Sequence, residues 1–148
     1  MAPFFYLGDY MHEDLSKYIG LVHQYQGTGQ YCDCLNLVAR FYKDHGYKQD
    51  FNDHMVRPNT YEEYMKKQPT RMVRYLLRNF KVTENIDELE YGDVVLALIN
   101  GDPHIGVYLD DDKVLAMEVP VVEGKTKSTL YKGRYWKPFF RAGFKRSV

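Results

Sequence analysis

A change in the spacing of apolar residues, from a helical repeat to a strand-like one, constrains this fold more than any other feature of the sequence. Leu15, Tyr18, Ile19 and Val22 recur at helical spacing, and this predicts a helix over about residues 13–25. Because the spacing of apolar residues changes only once along the chain, we expect helices in the first part and a sheet in the second.

Two further helical stretches precede that change. One opens at Cys34 and ends at His45–Gly46, a pair typical of a helix C-terminus. The other begins at Thr60–Glu63, which has the form of a capping box. Pro69 is expected to break this helix before it continues to about Phe80.

From about residue 81 the pattern becomes that of short strands rich in β-branched residues. Turn-forming residues separate them at 100–103 and 110–112, which fits an antiparallel meander. The predicted strands are Val94–Ile99, His104–Leu109, Val114–Val119, Ser128–Tyr131 and Tyr135–Phe140. Helices over about 12–80 and a sheet over about 81–141 predict an α+β fold, with the helices packed on a small C-terminal antiparallel sheet or barrel.

Length and charge narrow the classes of function. The 148 residues fit a single domain, residues 1–148, with one core. Lys and Arg number 20, as do Asp and Glu, and a net charge of zero argues against nucleic acid as the main ligand. The charges are nevertheless segregated, with eight acids and no Lys or Arg in 86–112, and nine bases and two acids in 113–148. This indicates either acidic turns before a solvated basic end or a bipolar docking surface.

No targeting or spanning segment is predicted. The N-terminus has no basic region before its short apolar run, so it does not resemble a secretory signal peptide. The longest uncharged apolar stretch, Val94–Asn100, is far shorter than the roughly 20 residues of a membrane-spanning helix. The sequence therefore predicts a chain without a membrane span.

The two cysteines, Cys32 and Cys34, are one residue apart. A bridge between them would be badly strained, and a cysteine-only zinc site needs four ligands, so neither a disulfide scaffold, a metal site nor a cofactor is predicted. Cys34 lies at a predicted helix start after a glycine-containing loop. The helix dipole there is expected to lower the pKa of a thiol and make it nucleophilic. A buried packing cysteine is the alternative.

A nucleophilic cysteine needs a base, most often histidine. Surface or capping roles are favoured for four of the five histidines, namely His12, His23, His45 and His54. His104 differs because it begins a predicted strand, which would hold its ring rigidly. Gly106, two residues further on, allows another element to approach the same sheet face. His104 is therefore the predicted partner of Cys34.

Two segments of the chain resemble a known family. The first runs from Tyr18 to Val38 and contains Asp-Cys-Leu-Asn-Leu-Val at 33–38, after the glycine-containing loop. The second contains Leu-Glu-Tyr-Gly-Asp at 89–93 and His-Ile-Gly-Val-Tyr at 104–108. Together, and in this order, they resemble the active-site regions of the NlpC-type cell-wall cysteine peptidases, most closely the version found at bacteriophage tail tips. The resemblance implies a papain-like fold.

The resemblance also implies roles for four residues. Cys34 would be the nucleophile and His104 the general base in hydrolysis of an amide of the peptidoglycan stem peptide, usually between D-Glu and the diamino acid. Tyr25 matches a loop tyrosine that lines the substrate cleft, and Asp33 matches an acid that can recognise a substrate amine. The residues alone equally allow Asp33 to be the N-cap of the Cys34 helix.

The sequence departs from the family pattern at three positions. The third polar residue of the family falls on Ala116, so Glu118, on the same strand face, is predicted to orient His104, with an ordinary surface acid as the alternative. The glycine two residues after the nucleophile is Asn36, which is expected to crowd the helix against the sheet. Cys32 has no role in the family and is read either as packing or as an oxidant-sensitive thiol.

The favoured function is a phage tail-tip endopeptidase that opens peptidoglycan during infection. It would be made in the host cytoplasm and carried in the virion, with the stem peptide and other tail proteins as its partners. One alternative is a catalytically weak or inactive structural protein of the tail tip or tail assembly on the same fold. Another is a cellular amidase or thiol transferase that acts on a different amide.

Overall fold

The computed structural model describes residues 4–7, 10–67 and 70–148, with side chains for 13–66 and 70–148. Ten strands are described: β1 (Phe4–Leu7), β2 (Tyr10–Glu13), β3 (Val22–His23), β4 (Tyr31–Cys32), β5 (Lys81–Thr83), β6 (Val94–Ile99), β7 (Asp102–Tyr108), β8 (Val114–Met117), β9 (Ser128–Tyr131) and β10 (Phe140–Lys145). Six of them form an antiparallel sheet in the order β5-β10-β6-β7-β8-β9. The short strands β3 and β4 pair in parallel beside it.

The predicted meander is confirmed in strands β6 to β9. The β7–β8 pairing places Gly106 opposite Ala116, and the connecting turn contains Asp111 and Asp112 with φ of 59° and 58°. A Cβ at residue 106 would come within 2.5 Å of a Val114 methyl group, so this close approach requires glycine.

The α-helices are α1 (Cys34–Asp44), α2 (Tyr61–Lys67), α3 (Arg71–Asn79) and α4 (Gly133–Trp136). α1 begins and ends where predicted, and the Thr60 hydroxyl accepts the Glu63 amide at 3.1 Å at the start of α2. The predicted break at Pro69 lies outside the described residues. Within the described ranges, no helix is long and apolar enough to cross a membrane.

Two predicted elements are wrong. The helix over 13–25 is replaced by a single 3₁₀ turn, Ser16–Tyr18, followed by β3. Gly20 lies between them with φ of +82°, outside the helical region. The strand predicted at Tyr135–Phe140 is instead the end of α4 and a 3₁₀ turn, with only Phe140 in β10. The Trp136 indole is buried and donates to the Asp112 carbonyl at 2.6 Å, a bond that holds this segment over the β7–β8 turn.

One face of the sheet packs against α1 and forms the main core. The buried residues of α1 are Leu37, Val38, Phe41 and Tyr42, and those facing them include Ile105, Val107 and Leu115. Burial of apolar surface on this scale is the main source of stability in such a fold. Because α1 lies across β7 and β8, its first residue, Cys34, comes near the beginning of β7.

Asp93 joins the acidic and basic stretches of the sequence. Its side chain is fully buried and accepts hydrogen bonds from the Lys145 ammonium at 2.5 Å and the Arg146 amide at 3.0 Å. Lys145 also pairs with Glu90 at 2.9 Å, and Lys137 pairs with Asp112 at 2.8 Å. Part of the charge segregation along the chain is thus cancelled in the fold.

We expect Asp93→Ala to lower the free energy of unfolding by about 3–5 kcal/mol, because it leaves partly buried cations without their buried partner. The matched control is Glu84→Ala, which removes an exposed ion pair with Arg141 and should cost less than about 1 kcal/mol. Urea denaturation of both variants measures the difference. Equal losses would show that the Asp93 network is no stronger than a surface pair.

Candidate active site

A capping network fixes the start of α1. The Asp33 and Asn36 side chains accept each other's backbone amides at 2.8 and 2.7 Å, and the second Asp33 oxygen accepts the Gln26 amide at 2.8 Å. The Asn36 amide group donates to the Gly27 carbonyl at 2.9 Å. The N-cap role considered for Asp33 is therefore present. Asn36 also ties the loop to the helix through these bonds.

Cys34 and His104 line the same cleft, which has a volume of about 220 Å³. Cys34 opens α1, and its backbone amide is one of those that lack an acceptor within the helix. His104 lies near the beginning of β7, and both side chains are half-buried. In the described part of the chain the two side chains make no hydrogen bond to each other. The structure therefore brings them into one cavity without joining them.

The protonation state of the pair follows from burial. Burial raises the pKa of the Cys34 thiol to about 12, and the neighbouring Asp33 charge acts in the same direction. The expectation that the helix start lowers the pKa of this thiol is therefore wrong. Burial also lowers the pKa of His104, with Asp102 opposing the shift. At neutral pH the proton thus resides on sulfur, and the imidazole is neutral and free to accept it.

Aromatic residues form the helical wall of the cleft. The Tyr25 hydroxyl donates to the Pro58 carbonyl at 3.0 Å, and its ring lies 6.1 Å from the ring of Tyr61 and 5.8 Å from that of Tyr64. The Arg57 guanidinium lies 5.8 Å from the Tyr64 ring centre and also lines the cleft. Arg57 is not among the residues predicted from sequence, and it adds a positive charge to the cleft that Asp33 also lines.

Glu118 is engaged away from His104. Its carboxylate is exposed and accepts the Lys127 backbone amide at 2.8 Å. No hydrogen bond joins it to the His104 ring within the part of the chain that the structure describes, so the two are not brought together as predicted. Ala116 lies opposite Gly106 on the His104 face of the sheet and offers no polar group to orient the ring.

The family model described as NlpC/P60 matches residues 20–144, a range that contains the cleft and both of its proposed catalytic residues. The chain belongs to the NlpC/P60 family. This confirms the resemblance and the α+β, papain-like fold that it implied. Among curated proteins no match was found.

Proteins of the NlpC/P60 family are generally cysteine peptidases that hydrolyse peptidoglycan, so membership suggests cell-wall peptidase activity. Cys32, which has no role in the family, is fully buried in the core. Burial also raises its pKa to about 11. The structure therefore supports packing as its role, since an oxidant-sensitive thiol needs exposure and thiolate character.

His23 is a residue of this NlpC/P60 domain that sequence reasoning missed. Its ring is fully buried, and among the described residues neither ring nitrogen has a hydrogen-bond partner. It lies edge-on to Tyr61, which lines the cleft, with ring centres 5.0 Å apart. The predicted surface or capping role is wrong for His23. The alternation of Leu21, His23 and Tyr25 in an extended segment could have revealed this.

The other histidines fit the prediction where they are described. His45 ends α1, and its ring contacts the Phe41 carbonyl at 2.7 Å and the Glu13 carboxylate at 2.6 Å. His54 is exposed. The side chain of His12 lies outside the described residues.

Alkylation by iodoacetamide should report the state of Cys34. Because the raised pKa leaves little thiolate at neutral pH, we expect slow labelling near pH 7 that rises about tenfold per pH unit toward alkaline pH. Mass spectrometry of tryptic peptides, with Cys32→Ala as the control that removes the second thiol, measures the rate at Cys34 alone. Rapid labelling at neutral pH would instead indicate a thiolate held by His104.

His23 should make the folded protein sensitive to acid. Burial lowers the pKa of His23, although Asp33 and Glu123 oppose the shift. The unfolded chain therefore binds more protons than the folded one below about pH 6.5, and stability is lost as the pH falls. We expect the melting temperature of His23→Phe to fall less than that of wild type between about pH 7 and about pH 5. His54→Asn, at an exposed site, should behave like wild type, and parallel profiles for all three proteins would contradict the prediction.

Proposed function

We propose that this protein is a peptidoglycan endopeptidase of a bacteriophage tail tip, with Cys34 as nucleophile and His104 as general base. The observation that carries the proposal is the shared cleft, which the helix-start thiol and the strand imidazole of the two family motifs both line. The bond cleaved is an amide of the stem peptide.

The chemistry follows from the neutral pair. As the Cys34 sulfur attacks the substrate carbonyl carbon, His104 accepts the thiol proton. The negative oxygen that forms lies near the start of α1, where the Cys34 backbone amide can donate to it. His104 then returns the proton to the leaving amine, and the carbon–nitrogen bond breaks. Water, deprotonated by His104, hydrolyses the thioester and regenerates the thiol.

The helical wall of the cleft suits a charged stem peptide. Arg57 offers a cation to a substrate carboxylate, and its guanidinium lies over the Tyr64 ring at 5.8 Å. Asp33 faces the same cleft, but both of its oxygens already accept backbone amides. Recognition of a substrate amine by Asp33 therefore depends on its remaining lone pairs.

The tail-tip setting rests on the resemblance of the sequence and on the distribution of charge. A tail component works as part of an assembly, so other tail proteins are its expected partners and the virion its location. The basic C-terminal stretch retains exposed cations, such as Lys125 and Lys132, beyond those that pair with acids. These are available for contacts with neighbouring proteins.

Mass spectrometry of muropeptides incubated with the purified protein tests the proposal. Wild type should cleave stem peptides, whereas Cys34→Ala and His104→Ala should lose at least about a hundredfold in rate. Cys32→Ala is the matched control, since it removes the neighbouring thiol and should retain cleavage. Phage carrying Cys34→Ala should lose infectivity. A wild type that leaves muropeptides intact, together with fully infectious mutant phage, would overturn the proposal.

One observation favours a second candidate, a structural tail protein on a degenerate peptidase fold. The orienting position is Ala116, and Glu118, the acid predicted to replace it, is bonded to the Lys127 amide. A His104 without an orienting partner is a weaker base. The last outcome above, with no cleavage and no loss of infectivity, is the result that this second candidate predicts.

A further inference from the structure

Two carboxylates line the catalytic cleft, and they differ in their surroundings. Asp33 is 5% exposed, and both of its oxygens accept backbone amides. Asp102, the first residue of β7, is exposed and lines the same cleft. Among the residues that the structure describes, none forms a hydrogen bond or an ion pair with the Asp102 carboxylate. Asp102 is therefore the acid of the cleft that is available to a ligand.

Asp102 lies on the same face of the sheet as His104. Residues two apart on a strand point to the same side, and the pairing of β6 with β7 is regular over both positions. The Asp102 charge opposes the lowering of the His104 pKa. Burial chiefly raises the pKa of Tyr61, on the helical wall of the cleft, to about 12, and the Asp102 charge adds to this effect. The charge of this one carboxylate thus acts on both walls of the cleft.

The direction of the reaction identifies the part of a substrate that would meet Asp102. In the mechanism above, His104 gives its proton to the leaving amine, so that amine must lie next to the imidazole. The residue that carries this amine is then the part of the substrate beside the beginning of β7. This step rests on the proposed function, because it takes His104 as the general acid.

The spacing of the two side chains suits a leaving residue with a long cationic side chain. Two residues of an extended strand span about 6.6 Å, and the four methylenes of a lysine side chain cover a similar length. A residue of this kind can place its α-nitrogen at His104 and its second amine at Asp102. An ammonium there would form a charge-assisted hydrogen bond with a carboxylate that has no other partner among the described residues.

We propose that Asp102 determines specificity by binding the side-chain ammonium of a diamino acid on the leaving-amine side of the scissile amide. The charged residues of the cleft then have opposite tasks, since Arg57 meets a substrate carboxylate and Asp102 meets a substrate ammonium. Acylation of the side-chain amine removes its charge. A stem peptide that is acylated there is therefore a poor substrate.

A set of four substrates tests this role. All carry L-Ala-γ-D-Glu as the acyl part, and the leaving amines are those of lysinamide, norleucinamide, Nε-acetyl-lysinamide and 2,4-diaminobutyramide. The second and third lack the charge, and the fourth carries it on a shorter side chain. We expect wild type to favour lysinamide over each of the others by about tenfold in kcat/KM, the scale of a hydrogen bond to a charged group. Asp102→Asn should abolish this preference, mainly through KM.

Asp87→Asn is the matched control, since Asp87 is also an exposed acid and does not line the cleft. It should keep the preference. Asn has the shape of Asp, and position 102 is exposed, so Asp102→Asn is expected to fold. If Asp102 instead orients His104, the variant will lower kcat equally for lysinamide and norleucinamide. That result, or a wild type that cleaves these two substrates at equal rates, would overturn the proposal.

Binding without cleavage separates failure of the Asp102 site from failure of the peptidase. In calorimetric titrations of Cys34→Ala, the lysinamide substrate should bind about tenfold more tightly than the norleucinamide substrate, and adding Asp102→Asn should remove the difference. This result without cleavage by wild type would support the Asp102 site and overturn the proposed function. Cleavage by wild type with no preference in either rate or binding would do the reverse.

Discussion

The Asp33 carboxylate is the interaction on which the site depends. One oxygen accepts the Asn36 amide inside α1, and the other accepts the Gln26 amide in the preceding loop. Asn36 and Arg40 extend this connection by donating to the Gly27 carbonyl. These hydrogen bonds offset the conformational entropy that the loop loses when it is held in one conformation. Because Cys34 directly follows Asp33, the same bonds that cap the helix determine where the sulfur lies.

This arrangement has an electrostatic consequence. A buried carboxylate next to the thiol opposes formation of a thiolate, and burial acts in the same direction. The helix dipole, worth about 0.3–1 kcal/mol at a surface, is too small to reverse these effects. The site therefore holds a neutral thiol and a neutral imidazole in one cleft, and proton transfer must accompany attack on the substrate. Because the proton moves only during the reaction, the resting fold does not have to bury a thiolate–imidazolium ion pair.

The elements that could be predicted from sequence are those fixed by local rules. α1 was predicted from its cap, its periodicity and its glycine stop, and the β6–β9 meander from its turns. The helix predicted over 13–25 is wrong because residues that pack into a core can show helical spacing without forming a helix. The strand predicted at Tyr135–Phe140 is wrong because a long-range hydrogen bond from the Trp136 indole to the Asp112 carbonyl holds this segment in another conformation. Similarly, strand alternation predicts Glu118 on the His104 face, but its carboxylate accepts the Lys127 backbone amide. No local pattern in the sequence indicates that bond.

Position 116 links the apparent weakness of the site to its shape. A polar residue there would face His104, but Ala116 lies opposite Gly106, where an added Cβ would come within 2.9 Å of the Ala116 Cβ. The sheet face beside the imidazole is therefore built from small residues, and a cavity of about 360 Å³ lies over it. The His104 ring thus has no polar neighbour at the facing position of β8, which makes it a weaker base without removing it from the cleft.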